Sequence, residues 1–343
     1  MVQYSIIVPI RNEERFVNEF LMNIESQTLD RSKFEVLLID GMSTDKTREE
    51  ITRIKNVLTF ELVILSNPNV IVSSALNIGY KNAKGKIIIR LDVHSKFNAF
   101  YLERLISSFL IHEECCNLGG RTLATGYDLT SNQIAFALNS PFGVGGAKFR
   151  YSREIVESDT VFPGIFNKAD LYSIGGWDES WVINEDAELN YRLKKHTGKT
   201  IKVIPHEEIQ IEYYPRNTFK GFAKQYYNYG LWRNKTNIAH PKSMRISHLV
   251  PPMFLLFILL TTPNTFFNFI FLILLVAVLI MYCLIIRLAV GRNISKDLSF
   301  FKLLFVFLIL HLAWGAGTLV GYAKFGIPFK GIWNALAEPF KAK

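Results

Sequence analysis

The chain has 343 residues, 49% of them hydrophobic and 20% charged. That apolar content excludes a disordered chain, and three Cys, two of them adjacent, exclude a disulfide-stapled secreted module. The apolar residues crowd between Leu249 and Tyr322, which excludes a wholly soluble protein.

Charge is distributed as unevenly. Residues 1–215 carry 24 basic and 28 acidic side chains, residues 216–248 carry 7 and none, and residues 249–343 carry 8 and 2. Positive charge beside and within an apolar region suits an anionic membrane surface. A nucleic-acid binder spreads Lys and Arg over its globular part, so no nucleic acid is expected as a partner. Cys115, Cys116 and Cys283 form neither a disulfide framework nor a CxxC metal site and read as reduced thiols. The N-terminus lacks a basic region followed by a long apolar stretch, so it does not read as a signal peptide.

In chain order, residues 4–10 read as a buried strand and residues 11–27 as a helix. Residues 35–39 are a second strand. Ser43, Thr44 and Asp45 offer caps for a helix running toward Asn56. Residues 60–65 are a third strand, 73–83 a third helix and 86–91 a fourth strand. Strands alternating with helices of this length predict a parallel sheet with right-handed crossovers. Ligands bind at the carboxyl ends of such strands. That places Asn12, Glu13, Asp40, Asn67, Asp92 and His94 under first scrutiny.

Three apolar runs follow, at 249–262, 266–286 and 303–322. The second has 21 uncharged residues, enough to cross about 30 Å of hydrocarbon. The third contains Gly315, Gly317 and Gly321, which suit close helix packing. The first is short and contains Pro251 and Pro252. The placement of Lys and Arg leaves two and three crossings both open.

Several motifs carry chemistry. Asp92 and His94, two apart where the fourth strand ends, suit a divalent cation that in turn holds a diphosphate; the same pattern also merely closes a strand. Asp40 ends the second strand, where a carboxylate either accepts a uracil N–H or caps the following turn. Glu185 and Asp186 follow Asn184, a plausible N-cap, in the first turn of a helix that stops at Gly198. They read either as first-turn decoration or as a general base. Residues 141–150 form a Gly-rich loop ending in Lys148 and Arg150, suited to phosphate or to a flexible turn. Tyr213, Tyr214 and Arg216, then residues 225–233, mix aromatic rings with cations, as sugar stacking, phosphate contact and membrane interfaces all do.

The order of these motifs is more specific than any one of them. It runs Val8-Pro9-Ile10-Arg11-Asn12-Glu13, Ile39-Asp40-Gly41-Met42-Ser43-Thr44-Asp45, Asn77 with Gly79 and Gly85, Asp92-Val93-His94, Gly175-Gly176-Trp177-Asp178-Glu179, and Glu185-Asp186. It resembles glycosyltransferase family 2, inverting enzymes with a GT-A fold. Within that family it looks like the membrane-bound succinoglycan-type glucosyltransferases of bacterial exopolysaccharide synthesis. The narrower likeness rests on Asp92-Val93-His94, the 143–150 loop, Asp159-Thr160-Val161, residues 184–190, Tyr214-Pro215-Arg216 and residues 225–230.

The resemblance implies an α/β GT-A domain, Rossmann-like with a mostly parallel sheet flanked by helices, over residues 1–215. A basic amphipathic segment at 216–248, two or three membrane helices within 249–323 and a basic tail at 324–343 would follow. Pro9, Asn12, Glu13, Asp40 and Asp92 would line the donor nucleotide pocket. Asp92 and His94 would hold Mg²⁺ or Mn²⁺. Asp186 would be the catalytic base, with Glu185 beside it. Trp177, Asp178, Glu179, Gln225, Trp232 and Arg233 would shape the acceptor side, and Lys148, Arg150 and Arg216 would meet phosphate. Gln225 and Trp232-Arg233 fall where processive relatives carry Q-x-x-R-W. Here Asn228 and the Trp-Arg order depart from that pattern, which points to one sugar per acceptor. The implied partners are a UDP-sugar, a lipid-linked (polyprenyl diphosphate) saccharide and membrane lipids. The implied location is the bacterial inner (cytoplasmic) membrane, multi-pass, with a cytosolic catalytic domain. Transfer to polyprenyl phosphate itself and a catalytically silent membrane scaffold are the alternatives.

Overall fold

The computed structural model describes residues 1–291 and 298–337. The last six residues of the expected basic tail lie outside the described residues. The chain forms two compact units: residues 1–123 with 147–213, and residues 124–146 with those from 214 onward.

The first unit opens with β1 (Tyr4–Ile10), α1 (Val17–Glu25), β2 (Phe34–Asp40), α2 (Thr47–Ile54), β3 (Glu61–Ser66), α3 (Val72–Asn82) and β4 (Ile87–Arg90). β5 (Ser95–Phe97), α4 (Tyr101–Ile111), β6 (Cys115–Gly119) and β7 (Thr122–Ala124) follow. The second unit then takes α5 (Leu129–Leu138) and α6 (Pro141–Val144). The first resumes with β8 (Val156–Glu157), β9 (Ile165–Asn167), α7 (Lys168–Ser173), α8 (Glu185–Thr197), β10 (Thr200–Val203) and β11 (Ile211–Tyr213). The chain continues through α9 (Phe219–Ala239), α10 (Val250–Asn264), α11 (Phe269–Val290), α12 (Phe300–Phe325) and α13 (Phe329–Ala337).

The large sheet has the order β3-β2-β1-β4-β9-β6-β10-β8. β1 and β2 pair in parallel from Tyr4 opposite Phe34 to Ile10 opposite Asp40, so both end at one level. Ile6, Val8 and Ile10 pack with Val17 and Phe20 of α1. Ile7, Leu37 and Ile39 pack with Ala75 and Leu76 of α3. β1 is thus covered on both faces, which is why it reads as an unbroken apolar run. The sheet is parallel across β3, β2, β1 and β4. Beyond them it is mixed, because β9 runs antiparallel to both β4 and β6. β5, β11 and β7 form a small second sheet.

In the second unit, residues 124–146 pack by themselves with the later helices. Phe142 of α6 meets the rings of Phe307 and His311 on α12 at 5.5 and 5.0 Å. The segments Ile246–Asn264, Phe269–Val290 and Phe300–Phe325 are each long and apolar enough to cross a membrane. Cys115, Cys116 and Cys283 are all free thiols.

The glycines of α12 do serve close packing. A Cβ on Gly317 would overlap the Tyr227 carbonyl of α9, one on Gly230 the Trp314 carbonyl, and one on Gly315 would sit 2.6 Å from the Pro251 carbonyl oxygen. Backbones that approach this closely leave no room for a branched side chain. Gly317→Val is therefore expected to destabilise the second unit by about 1–3 kcal/mol. Thermal unfolding in detergent checks this, and an unchanged midpoint would refute the packing account.

Candidate active site

The carboxyl ends of β1, β2 and β4 frame a cleft of about 200 Å³, lined among others by Pro9, Glu13, Asn67, Arg90, Asp92 and His94. The segment after β1 is the first departure from the sequence reading. The helix expected from residue 11 begins only at Val17. Asn12 takes a left-handed conformation (φ 56°), and three consecutive N–H groups leave the helical pattern. Asn12 N–H donates to Ser43 Oγ (2.9 Å), Glu13 N–H to Thr47 Oγ1 (2.7 Å) and Glu14 N–H to Asp45 Oδ2 (3.2 Å). Asn12 Oδ1 in return accepts from Thr44 N–H at 2.8 Å. Asn12 thus ties two loops together, and Glu13 faces the cleft.

Asp40 is wholly buried, and both its oxygens are engaged. Oδ1 accepts from Ser43 N–H (3.0 Å) and Ser43 Oγ (2.6 Å), and Oδ2 from Arg48 Nε (2.5 Å). Its neighbours Ile39 and Gly41 line the cleft. Of the two sequence readings, the turn cap is the one these contacts display.

At the end of β4 stands a residue that the sequence motifs passed over. Arg90 is 4% exposed. Its guanidinium bonds Asp186, lies 3.3 Å from Glu185 Oε1 and 3.7 Å from Asp92 Oδ1, and stacks 4.9 Å from the Phe162 ring. Burial alone would weaken its charge, but the carboxylates more than offset this and hold Arg90 above the usual arginine range. Burial raises Glu185, the Asp186 charge raises it further, and Arg90 opposes both. Asp186 is likewise raised by burial and pulled back by Arg90. The one available signal for Arg90 was a lone charge closing the apolar run Ile87-Ile88-Ile89.

α8 carries the acidic pair into place. Asn184 stands at the N-cap as expected, but it adopts φ 65° and its side chain makes no capping hydrogen bond, while Gly198 ends the helix in the left-handed region as expected. The helix is pinned by a buried relay. Asn117 Nδ2 donates to Asn190 Oδ1 (2.8 Å), Asn190 Nδ2 to Thr160 Oγ1 (2.8 Å), and Asn117 Oδ1 accepts from Ile165 N–H (3.0 Å).

Trp177 is buried between Tyr80 and Phe166, with its indole N–H beside Asp186. Its main chain is held by Asn77, which accepts from Trp177 N–H (2.9 Å) and donates to the Trp177 carbonyl (2.8 Å) and Glu179 Oε1 (2.9 Å). Asp178 and Glu179 are exposed. Lys148 Nζ donates to the Glu157 carbonyl at 3.1 Å, and Arg150 stacks on Phe149 and Tyr213. Gln225, Trp232, Arg233 and Arg216 belong to the second unit. There Gln225 Nε2 donates to Tyr229 Oη (3.0 Å), and Lys235 and Lys324 lie over the Trp232 ring.

Among the described residues, no group of three or more His, Cys, Asp and Glu side chains could cage a metal. A hard cation shared with substrate phosphates needs only one or two carboxylates. Asp92, with a side chain 34% exposed, and His94 both line the cleft, and this donor set fits such a shared ion. His94 Nε2 lies 3.0 Å from Glu13 Oε1. In the neutral ring the proton then sits on Nε2, leaving Nδ1 to accept.

Removing the buried guanidinium strands three carboxylates. Arg90→Met is expected to cost about 3–5 kcal/mol. Adding Asp186→Asn should recover part of that loss, and Arg90→Lys should lose less. Unfolding midpoints of the purified variants check this; equal loss in the single and double variants would show that Arg90 and Asp186 are not coupled.

Residues 5–158 match the description "Glycosyl transferase family 2". In sequence, the chain is similar to the succinoglycan biosynthesis protein ExoA of Rhizobium meliloti, 29% identical over 253 residues, 72% of this chain and 73% of that protein. It is also similar to the dolichyl N-acetyl-alpha-D-glucosaminyl phosphate 3-beta-D-2,3-diacetamido-2,3-dideoxy-beta-D-glucuronosyltransferase of Methanococcus voltae, 29% identical over 232 residues, 66% of this chain and 71% of that protein. In fold it is similar to Staphylococcus aureus TarS 1-349 in complex with UDP-GlcNAc, with TM-score 0.50, 19% identity and 66% of each chain covered. It is similar too to the mannosyltransferase PcManGT of Pyrobaculum calidifontis in complex with GDP-Man and Mn²⁺, with TM-score 0.53, 14% identity, and 99% of this chain and 81% of that chain covered. Residues 5–158 are thus a glycosyltransferase family 2 domain, within a first unit built on a GT-A-like mixed α/β sheet, and the chain goes on to helices long and apolar enough to span a membrane.

Proposed function

We propose that this chain moves one sugar, glucose in the first instance, from a UDP-sugar to a lipid-linked saccharide, inverting the anomeric carbon. The observation that carries the reading is the grouping of Asp92, Glu185 and Asp186 around Arg90 beside a cleft at the carboxyl ends of parallel strands. Pro9 and Glu13 line the side that takes the nucleotide. Asn12 and Asp40 act there by fixing the two loops that frame it, through their bonds to Ser43 and Thr44. Asp186 accepts the proton of an acceptor hydroxyl. The freed oxygen bonds to the anomeric carbon as the bond from that carbon to the diphosphate oxygen breaks, and UDP leaves. Arg90 opposes the upward push of burial on Asp186 and aims its carboxylate. Asp92 and His94 would hold a divalent cation, Mg²⁺ or Mn²⁺, which would supply charge neutralisation to the departing diphosphate.

The acceptor class draws support from two sides. Two relatives are named for succinoglycan biosynthesis and for transfer to a dolichyl phosphate-linked sugar. The described part of the second unit holds eleven Lys and Arg against Asp128 as its only acidic residue, and Asp128 is occupied in capping α5. A membrane-embedded anionic lipid carrier suits that balance. In this reading the protein sits in the bacterial inner membrane with its first unit in the cytosol.

Asp186→Asn is expected to lower turnover by roughly 10²–10⁴-fold with little change in UDP affinity. Asp92→Ala should weaken UDP binding in the presence of Mn²⁺. UDP release with a panel of UDP-sugars and titration of UDP into the detergent-solubilised protein read both effects. An Asp186→Asn variant that keeps most of its activity would move the reading to a phosphate acceptor, which needs little base catalysis. Absence of both UDP binding and UDP release would sink it.

A further inference from the structure

The basic stretch at 324–343 reads from the sequence as a tail, yet its described part contains a helix, α13, with two unlike faces. Gly331 and Ala335 are buried. A Cβ on Gly331 would lie 2.8 Å from Met244 Sδ and 3.3 Å from the Asn237 carbonyl oxygen, so this face rests tightly on the end of α9 and the turn after it. Phe329, Trp333 and Leu336 are 72%, 74% and 56% exposed. They recur at the four- and three-residue spacing that aligns side chains on one helix face. Lys330, also exposed, stands at the flank of that stripe.

α13 has 9 residues, about 13 Å of helix, less than half a bilayer core. It follows α12, a segment long and apolar enough to cross a membrane, after one sharp break at Gly326 (φ 97°) and Pro328. The break is tied down, because Asn234 Nδ2 of α9 donates to the Gly326 carbonyl at 2.9 Å. The exposed apolar stripe therefore begins where α12 ends, on a helix that cannot turn away. Around it the described charges are all positive: Lys324, Lys330 and Lys242.

We propose that α13 lies in the plane of the membrane interface, with Phe329, Trp333 and Leu336 seated at the boundary of headgroups and acyl chains and Lys330 among anionic headgroups. A short helix with an aromatic apolar face, basic flanks and a membrane span running directly into it is built for that boundary. The lipid surface then fixes the depth of the Asn234–Gly326 contact, and with it the level at which the end of α9 meets the bilayer. The inference rests on the membrane reading of α10, α11 and α12 and not on the transfer chemistry.

The test reconstitutes the full chain in vesicles of phosphatidylcholine and phosphatidylglycerol carrying brominated acyl chains. The signal of Trp333 is taken as the difference between wild type and Trp333→Phe. Bromines near the headgroup end are expected to quench at least half of that difference signal, and more than bromines near the chain ends do. Stronger quenching by the deep bromines would overturn the proposal in favour of a helix buried among the spans. A component untouched by any bromine but quenched by aqueous iodide would overturn it in favour of a water-facing helix. A component shielded from both, and released on dilution with excess lipid, would assign the face to a second copy of the chain. Trp177, Trp181, Trp232 and Trp314 remain in Trp333→Phe; the further difference on adding Trp314→Phe isolates Trp314 on α12, and its quenching by deep bromines shows separately whether the spans themselves are in the bilayer.

Discussion

A guanidinium removed almost entirely from water must have its charge met at once, because an unpaired buried ion costs several kcal/mol. Arg90 imposes that demand at the end of β4, and the geometry around the cleft answers it. Asp92 is two residues further along the chain, while Glu185 and Asp186 arrive from α8. One cation thereby fixes the distance between a strand end and a helix start nearly a hundred residues apart. Carboxylates nonetheless outnumber the guanidinium. With burial pushing Glu185 and Asp186 upward, the more exposed Asp92 is the carboxylate this arrangement leaves for a divalent cation.

The second unit is held by a different kind of fit. α9 and α12 meet through glycine gaps and backbone carbonyls, the close fit that small residues allow. The buried stripe of α9 includes Asn234, Thr236 and Asn237 beside Phe222 and Tyr226. These polar groups sit where one helix crosses another's backbone, and Asn234 uses its amide to fasten the end of α12. The helix is therefore packed by polar and small residues as much as by a greasy face, so a simple amphipathic pattern describes it poorly.

Much of the first half was legible because its physics is local and periodic. β1, β2 and β4 are buried along nearly their whole length and read as apolar runs, the edge strand β3 reads so too although partly exposed, and Gly198 and the three long helices announce themselves by conformation and length. What stayed hidden depends on partners distant in sequence. β9 has three residues, too few to show a period, yet it turns the sheet from parallel to mixed. The helix after β1 starts late because Ser43, Asp45 and Thr47, some thirty residues on, draw its first N–H groups away. Asp40 could be placed at its strand end and read as a cap of the turn through Ser43 from the sequence, but Arg48 closing on its other oxygen could not. Asp92, His94, Glu185 and Asp186 were found by motif. Arg90, which gathers the acidic ones, was not, because a single Arg in an apolar strand has no pattern to belong to.

Asn77 has a consequence of another sort. Its side chain pairs with the main chain of Trp177 as a neighbouring strand would, one N–H and one carbonyl at a time, across 100 residues of sequence. α3, which carries Asn77, also supplies Val72 and Ala75 to the wall of the cleft. The turn bearing Asp178 and Glu179 is consequently surveyed from the wall of the cleft itself and not from the chain that leads to it. The position of that turn against α3 is therefore set by one amide side chain and not by the length of chain between them.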